Sequence, residues 1–68
     1  MVRFYRLAKA TQDGYSLIEY FLDPSEAAAR AMAAAKKLPR KEYVFVSQID
    51  VYPCMSETHE FLRVDGLA

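Results

Sequence analysis

The 68-residue chain has a single cysteine, only two glycines and no excess of charge of either sign. One cysteine cannot form an internal disulfide, so Cys54 suits a reducing compartment, and we expect a cytoplasmic protein. Gly14 and Gly66 are too few and too far apart for a glycine-rich phosphate loop. The nine acidic and nine basic residues cancel. This neutrality argues against non-specific binding to nucleic acid or to a membrane surface.

Long apolar runs are also missing. No stretch is long enough to span a bilayer, and residues 1–6 lack the apolar core of a signal peptide. The length predicts one small domain, residues 1–68, near the lower size limit for folding unaided. Because 53% of the residues are apolar, we expect a folded chain rather than a disordered one.

Groups suited to catalysis or metal binding are scarce. The one histidine, His59, lies between Glu57 and Glu60 and follows Cys54 by five residues. A zinc site needs at least three well-placed ligands, which one cysteine and one histidine do not supply. A nucleophilic Cys–His pair would need contact between a loop residue and a strand residue. We therefore expect no catalytic, cofactor or metal site, and a protein that is not an enzyme.

An alanine-rich helix is the best-defined element. Asp23 is a good N-cap, and Pro24 fits the first helical position, where no amide hydrogen is needed. Glu26 completes the pattern of a capping box. Lys36 and Lys37 complement the C-terminal carbonyls, and Pro39 disfavours helical geometry at Leu38, so the helix is predicted to end just before Leu38.

The buried face of this helix is predicted to be almost entirely alanine. Glu26 and Arg30 are expected to form an ion pair on the opposite face. Because alanine is small, the helix backbone can approach a sheet closely, and the bulk of the core must come from the strands. The predicted buried residues are Ala27, Ala28, Ala31, Met32, Ala34, Ala35 and Leu38.

The first of two predicted hairpins joins residues 2–10 and 15–22 through Asp13-Gly14. Asp-Gly is a strong signal for a tight turn, because glycine supplies the positive φ that such a turn needs. A two-residue Asp13-Gly14 turn fixes the register of the two strands. The predicted pairs are Thr11 with Ser16, Lys9 with Ile18, Leu7 with Tyr20 and Tyr5 with Leu22.

The second hairpin is predicted from residues 43–52 and 59–64, followed by a frayed tail at residues 65–68. Together these elements predict an α+β fold of two layers. Its order is β-β-α-β-β, with one alanine-rich helix packed on one face of an antiparallel sheet. Either edge of each hairpin could pair with the other, so the sequence leaves the strand order open.

Both faces of this sheet are predicted to carry large apolar side chains, yet one helix can cover only one face. Arg6 and Glu19 are expected on the same side of the first hairpin, as a structural ion pair. The uncovered face should be partly exposed, and contiguous exposed apolar surface usually marks an interface. Tyrosine suits such a surface because it offers an apolar ring with a polar tip. The predicted partner-binding tyrosines are Tyr5, Tyr15, Tyr20, Tyr43 and Tyr52. The alternative is that tyrosines at strand edges merely close a small core.

One basic cluster follows the helix: Lys36, Lys37, Arg40 and Lys41. It could contact an acidic protein surface or a phosphate backbone. The alternative is that these charges complement the helix C-terminus and solvate a loop.

One set of residues spans the helix and the start of the following strand: Asp23-Pro24, Ala27-Ala28-Ala29, Arg30, Ala31-Met32 and Tyr43-Val44. This set resembles a segment of one phage-encoded anti-CRISPR family that acts on type I effector complexes. The resemblance implies a small inhibitor that binds a host defence complex through its surface, with no enzymatic step. No functional residue carries over, because the matched positions belong to the helix and the core, and the neutral charge argues against a DNA-mimic mechanism.

The leading hypothesis is therefore a non-enzymatic protein-binding module, an inhibitor of a type I CRISPR effector complex from a phage or mobile element. Two alternatives remain. One is a structural domain that forms a homodimer through the open sheet face or an edge strand. The other is a small nucleic-acid binder that uses the basic cluster. No cofactor and no membrane partner are expected.

Overall fold

The computed structural model describes residues 1–68 and contains one helix and four strands. The predicted α+β fold with the order β-β-α-β-β is confirmed, and every strand pair is antiparallel. The strand order in the sheet is β2-β1-β3-β4. The elements are β1 (Val2–Thr11), β2 (Gly14–Phe21), α1 (Pro24–Ala35), β3 (Tyr43–Val51) and β4 (Ser56–Asp65).

The two hairpins join through their first strands. β1 pairs with β3 continuously, from Val2 opposite Val51 to Lys9 opposite Val44. This pairing leaves β2 and β4 at the two edges of the sheet. Each edge strand carries one β-bulge, at Ile18 in β2 and at Phe61 in β4. Bulges at sheet edges interrupt the regular ladder and redirect side chains.

The start of α1 follows the sequence prediction. Asp23 has an extended backbone (φ −101°, ψ 122°), and its Oδ1 accepts a hydrogen bond from the Ser25 amide at 2.9 Å. Pro24 occupies the first turn. Glu26 does not complete the capping box with a hydrogen bond, although its charge lies in the first turn, where the helix dipole favours it.

The end of α1 comes two residues earlier than predicted. The helix ends at Ala35, and the amides of Lys37 and Leu38 then bond the carbonyls of Ala34 and Ala35, each at 3.1 Å. Bonds to the third preceding residue tighten the last turn. Pro39 explains the change, because it restricts the backbone of Leu38 and the helix tightens before reaching it.

The core is built from small helical residues and larger strand residues. Ala27, Ala31 and Ala35 are completely buried against Leu7 and other fully buried strand residues. As predicted, the helix contributes small side chains to the core and the strands contribute the large ones. Met32, which was predicted to be buried, is 45% exposed and lies outside the core. The fully buried residues of α1 occur at every fourth position, so the buried face of the helix is narrower than the predicted seven-residue face. The core members are Tyr5, Leu7, Val44 and Val46 with the three alanines, and Phe21, Ala34, Leu38, Leu62 and Val64 pack around them.

The predicted register of the first hairpin is wrong. Gly14 (φ +145°) is the first residue of β2 and pairs with Thr11, so Gln12 and Asp13 form the turn. The bulge at Ile18 then shifts the register again. None of the four predicted pairs forms; the observed pairs include Lys9 with Ser16, Leu7 with Glu19, Arg6 with Tyr20 and Tyr5 with Phe21.

The C-terminal residues are docked, not frayed as predicted. The amides of Gly66, Leu67 and Ala68 donate to the carbonyls of Glu42, Ala35 and Leu38 at 2.8, 2.9 and 2.9 Å. Gly66 is buried, and a Cβ added there would lie 1.9 Å from the Pro39 carbonyl oxygen. The Ala35 carbonyl is at the end of α1, where helix carbonyls lack partners within the helix, and those of Leu38 and Glu42 belong to the connection that follows it. Only glycine leaves room for that approach.

Candidate binding surface on the helix-free face

The side of the sheet opposite α1, called the open face below, carries the alternate set of side chains from each strand. Tyr5, Leu7, Val44 and Val46 pack against the helix, so their neighbours along the strands point the other way. The strand register extends this assignment to the edge strands. The open face comprises Val2, Phe4, Arg6, Ala8, Ala10, Tyr15, Leu17, Tyr20, Tyr43, Phe45, Ser47, Ile49, Val51, Ser56, Thr58, Glu60, Arg63 and Asp65.

The bulge in β2 determines which residues of that strand reach the open face. Because Ile18 is the extra residue, Leu17 and Tyr20 both pair with open-face residues of β1 although they are three positions apart. Glu19 falls on the helix side, where its Oε1 lies 3.5 Å from the Nε of Arg30. Sequence periodicity alone could not locate this bulge.

Aromatic rings meet across the open face. Tyr15 and Phe45 lie edge to face at 6.1 Å, and Phe45 also contacts Tyr43 at 6.3 Å. The strand β1 separates Tyr15 from Phe45, so these rings meet above β1. Its open-face residues there, Ala8 and Ala10, have only methyl side chains, which leave the necessary space. Ala8 is completely buried as a result, although no helix covers it.

Much of this apolar surface nevertheless remains accessible. Tyr20 is 54% exposed, Tyr15 is 50% exposed and Leu17 is 49% exposed. Tyr20 packs edge to face on Phe4, with 5.7 Å between ring centres. The result is a row of half-exposed aromatic and aliphatic groups along β2, of the kind that marks interaction surfaces.

Arg6 occupies the middle of the open face. Its Nη1 donates to the Tyr15 hydroxyl at 3.1 Å, and its Nη2 donates to Ser47 Oγ at 3.5 Å. Its guanidinium carbon also lies 4.5 Å from the centre of the Tyr15 ring, within range of a cation–π interaction. The predicted ion pair between Arg6 and Glu19 is absent, because the bulge places Glu19 on the other face.

The second arginine on the open face is already neutralised. Arg63 stacks on the Tyr43 ring at 3.8 Å and donates from Nε to Asp65 Oδ1 at 3.0 Å. That hydrogen bond raises the pKa of Arg63 above its usual value. The pair therefore presents little net charge to an incoming molecule.

Two of the five predicted tyrosines, Tyr5 and Tyr52, do not lie on the open face. Tyr5 is 6% exposed and belongs to the core, and its ring centre lies 5.1 Å from that of the half-exposed Phe61, so almost none of Tyr5 is accessible to a partner. Tyr52 follows β3, and its amide donates to the Met55 carbonyl at 2.7 Å. Partial burial, together with the charge of Glu57, raises the pKa of Tyr52. The other three, Tyr15, Tyr20 and Tyr43, share the open face.

The predicted basic cluster does not merge with this aromatic surface. Lys36, Lys37, Arg40 and Lys41 are exposed on the connection from α1 to β3, and none forms an ion pair. Only Lys41 meets a predicted tyrosine, because it lines with Tyr43 a groove of about 580 Å³.

This groove is bridged by an ion pair of 2.7 Å between Lys9 Nζ and Glu42 Oε1. The two sets of predicted partner-binding residues are thus neighbours rather than parts of one surface.

Other polar groups are dispersed. Cys54 is an exposed free thiol, and His59 pairs with Gln48 in the β3–β4 ladder. No group of three or more His, Cys, Asp or Glu side chains is placed to hold a metal ion. The single helix has 12 residues and is too short to cross a membrane. The open face therefore carries aromatic surface, hydroxyl groups and two guanidinium groups, of which only that of Arg63 is in an ion pair.

No family model matches this chain, and comparisons with curated proteins and with solved structures find no relative. The fold and the open face are therefore the observations that bear on its function.

Proposed function

We propose that this protein is a non-enzymatic module that binds a protein partner through the open face of its sheet. The observation that supports this function is the row of half-exposed Tyr15, Leu17 and Tyr20 on a face with no covering layer. Aromatic residues are enriched at the centres of protein interfaces, where they supply large contact area at small entropic cost.

The size of the open face favours a partner over an obligate homodimer. Four strands about 4.8 Å apart and about eight residues long give a face of roughly 19 by 26 Å, or about 500 Å². Specific complexes bury about 800 Å² on each partner, whereas obligate dimers bury considerably more. The open face can therefore form the main part of a standard interface, completed by the edges of the sheet, but it is small for a permanent dimer.

We propose a type I CRISPR effector complex of a bacterial host as the partner. Support for this identity comes from the resemblance of α1 and the start of β3 to a phage-encoded anti-CRISPR family. The residues that carry the resemblance form the helix and the core, so they preserve the scaffold. The open face would then supply the contacts with the effector complex.

An interference assay tests this proposal. A bacterial strain with an active type I system is challenged with a targeted phage while the protein is expressed, and we expect plaque formation to be restored. The double substitution Tyr15→Ser and Tyr20→Ser should abolish this effect, since losing a central aromatic contact weakens binding by about 30-fold or more. Met32→Ser removes an exposed apolar side chain from the opposite layer and should leave the effect intact.

Folding of the variants is checked by circular dichroism and thermal unfolding. A folded Tyr15/Tyr20 double variant that still restores plaque formation would show that the open face is not the binding surface. Absence of any effect of the parent protein would remove the type I effector complex as the partner.

One observation favours self-association as a second candidate function. Seven of the eight residues of β2 are exposed, and its one charged residue, Glu19, is paired with Arg30. Edge strands without free charges can pair with another copy of the same strand. Sedimentation velocity across the micromolar range tests this alternative. A dimer that Ile18→Lys dissociates would support it, and a monomer throughout would exclude it.

A further inference from the structure

We propose that Arg6 anchors the partner by binding one carboxylate side chain, which the partner presents between apolar residues. This inference rests on the proposed function of the open face and adds the chemistry of the group recognised there.

Arg6 carries the uncompensated charge of the open face. The four ion pairs of the structure join Arg3 to Asp50, Lys9 to Glu42, Arg30 to Glu19 and Arg63 to Asp65. None of them includes Arg6. The acidic residue in its row across the sheet is Glu60, which pairs with Ser47 and is two strands away. Two strand spacings separate their backbones by about 10 Å.

The guanidinium of Arg6 is held in place before any partner arrives. Stacking on Tyr15 and hydrogen bonds to Tyr15 and Ser47 restrain it, while its Nε is enclosed without a hydrogen-bond partner. Arginine has five N–H donors, and two are used here. The remaining donors on the terminal nitrogens suit the two oxygens of a carboxylate. A restrained side chain also loses less entropy on binding.

The charges around Arg6 indicate one carboxylate rather than a nucleic acid. Glu60 lies on the β4 side of the open face, where it would repel a chain that carries a charge at every nucleotide, and Asp65 already neutralises the second arginine of that face. The unpaired basic residues, which would attract such a chain, lie on the α1–β3 connection instead. A protein segment that places one acidic side chain among apolar ones matches both the aromatic surface and its single free cation.

Two dyes with the same ring system test the anion preference directly. Anilinonaphthalene sulfonate carries a sulfonate that stands in for the carboxylate, and N-phenyl-1-naphthylamine lacks it. We expect the parent protein to bind the sulfonate dye more tightly than the neutral dye, as measured by fluorescence titration. Arg6→Gln should reduce affinity for the sulfonate dye by about tenfold or more and leave the neutral dye unaffected. Arg40→Gln is the matched control: it removes one unpaired arginine from the α1–β3 connection, away from the open face, and should retain the preference.

The interference assay separates failure of this inference from failure of the proposed function. Arg6→Gln should lose the effect on plaque formation, and Arg6→Lys, which keeps the charge, should retain part of it. If Arg6→Gln remains active while the Tyr15/Tyr20 double variant is inactive, the carboxylate anchor is wrong and the open face still binds the partner. If both remain active, the proposed function is wrong as well.

Two further results would also overturn the inference. One is retention of the preference for the sulfonate dye by Arg6→Gln. The other is that the parent protein binds single-stranded DNA or forms a dimer and that Arg6→Gln loses this property. The occupant of the open face would then be a nucleic acid or a second copy of the chain. Thermal unfolding establishes that each variant is folded, and Arg6→Lys supplies the comparison if Arg6→Gln is not.

Discussion

Substitution of the buried Gly66 by alanine should destabilise the protein strongly. The new Cβ would lie 1.9 Å from the Pro39 carbonyl oxygen and 2.7 Å from the Leu38 carbonyl oxygen. Both atoms belong to the backbone, so no rotamer change can relieve the overlap. Either the tail must detach or the turn at Leu38 and Pro39 must move.

The expected magnitude follows from the hydrogen bonds that detachment would break. The amides of Gly66, Leu67 and Ala68 each make one backbone bond. With a net contribution of about 0.5–1.5 kcal/mol for each bond, loss of all three amounts to roughly 2–4 kcal/mol. A protein of this size has a total stability of about 3–10 kcal/mol. The melting temperature should fall by roughly 8–32 °C, since about 1 kcal/mol shifts it by about 4–8 °C.

Urea unfolding followed by circular dichroism measures this loss. Leu67→Ala is the control, because it keeps the backbone bonds and trims a side chain that is 52% exposed. A chain shortened after Asp65 sets the upper limit, since a detached tail cannot lose more than an absent one. A change below about 0.5 kcal/mol for Gly66→Ala, the range of ordinary surface substitutions, would refute the close packing of the tail.

Two further predictions concern the ion pair at one end of the sheet and the helix interface. Asp50 accepts from Arg3 at 2.7 Å, and this hydrogen bond lowers the pKa of Asp50 in the folded protein. The ionised Asp50 therefore stabilises the folded protein fully at pH values above about 3.9, the pKa of an aspartate in the unfolded chain. This stabilisation is lost as the pH falls through the lower pKa that Asp50 has in the folded protein. Asp50→Asn should therefore lower the melting temperature at pH 7, with a difference from the parent that shrinks below about pH 4; a constant difference down to pH 2 would contradict this. Ala31→Leu should cost about 1–3 kcal/mol in urea unfolding because the site is completely buried, and Ala33→Leu on the exposed side should change stability by less than about 0.5 kcal/mol.

The fold class and the helix start were predictable because their causes are local. Asp23 and Pro24 specify a helix N-terminus through neighbouring atoms alone, and the structure reproduces that geometry. Alternation of apolar residues likewise identified the strands. The alanine-rich face of the helix predicted a close helix–sheet contact, and Ala27 and Ala31 are completely buried in it.

The register of the first hairpin was not predictable from the same signals. The Asp13-Gly14 pair correctly marks a turn region, but Gly14 enters the strand, and Ile18 is the extra residue of a bulge. Whether glycine closes a turn or begins a strand depends on how the two strands pack later. These shifts placed Glu19 on the helix side and left Arg6 without its expected partner.

The candidate surface was only partly predictable for a related reason. Excess apolar residues indicated an uncovered face, and Tyr15, Tyr20 and Tyr43 line it. The number of tyrosines could not distinguish these three from Tyr5. The side chain of Tyr5 points to the helix side of the sheet and lies in the core. Arg6 has no sequence signature, because its importance arises from the absence of a carboxylate nearby in three dimensions.

Joining the hairpins through β1 and β3 has a consequence for how the chain acquires its shape. Each hairpin needs only contacts close in sequence, whereas the seam between them pairs Val2 with Val51, 49 positions away. Closing so long a loop is entropically unfavourable until many contacts form together, so the seam should be the slow step in folding. Before that step each hairpin has an unpaired strand edge, on β1 and on β3. At high protein concentration the first hairpin of one chain could pair with the second hairpin of another. Refolding at low concentration should therefore favour the monomer.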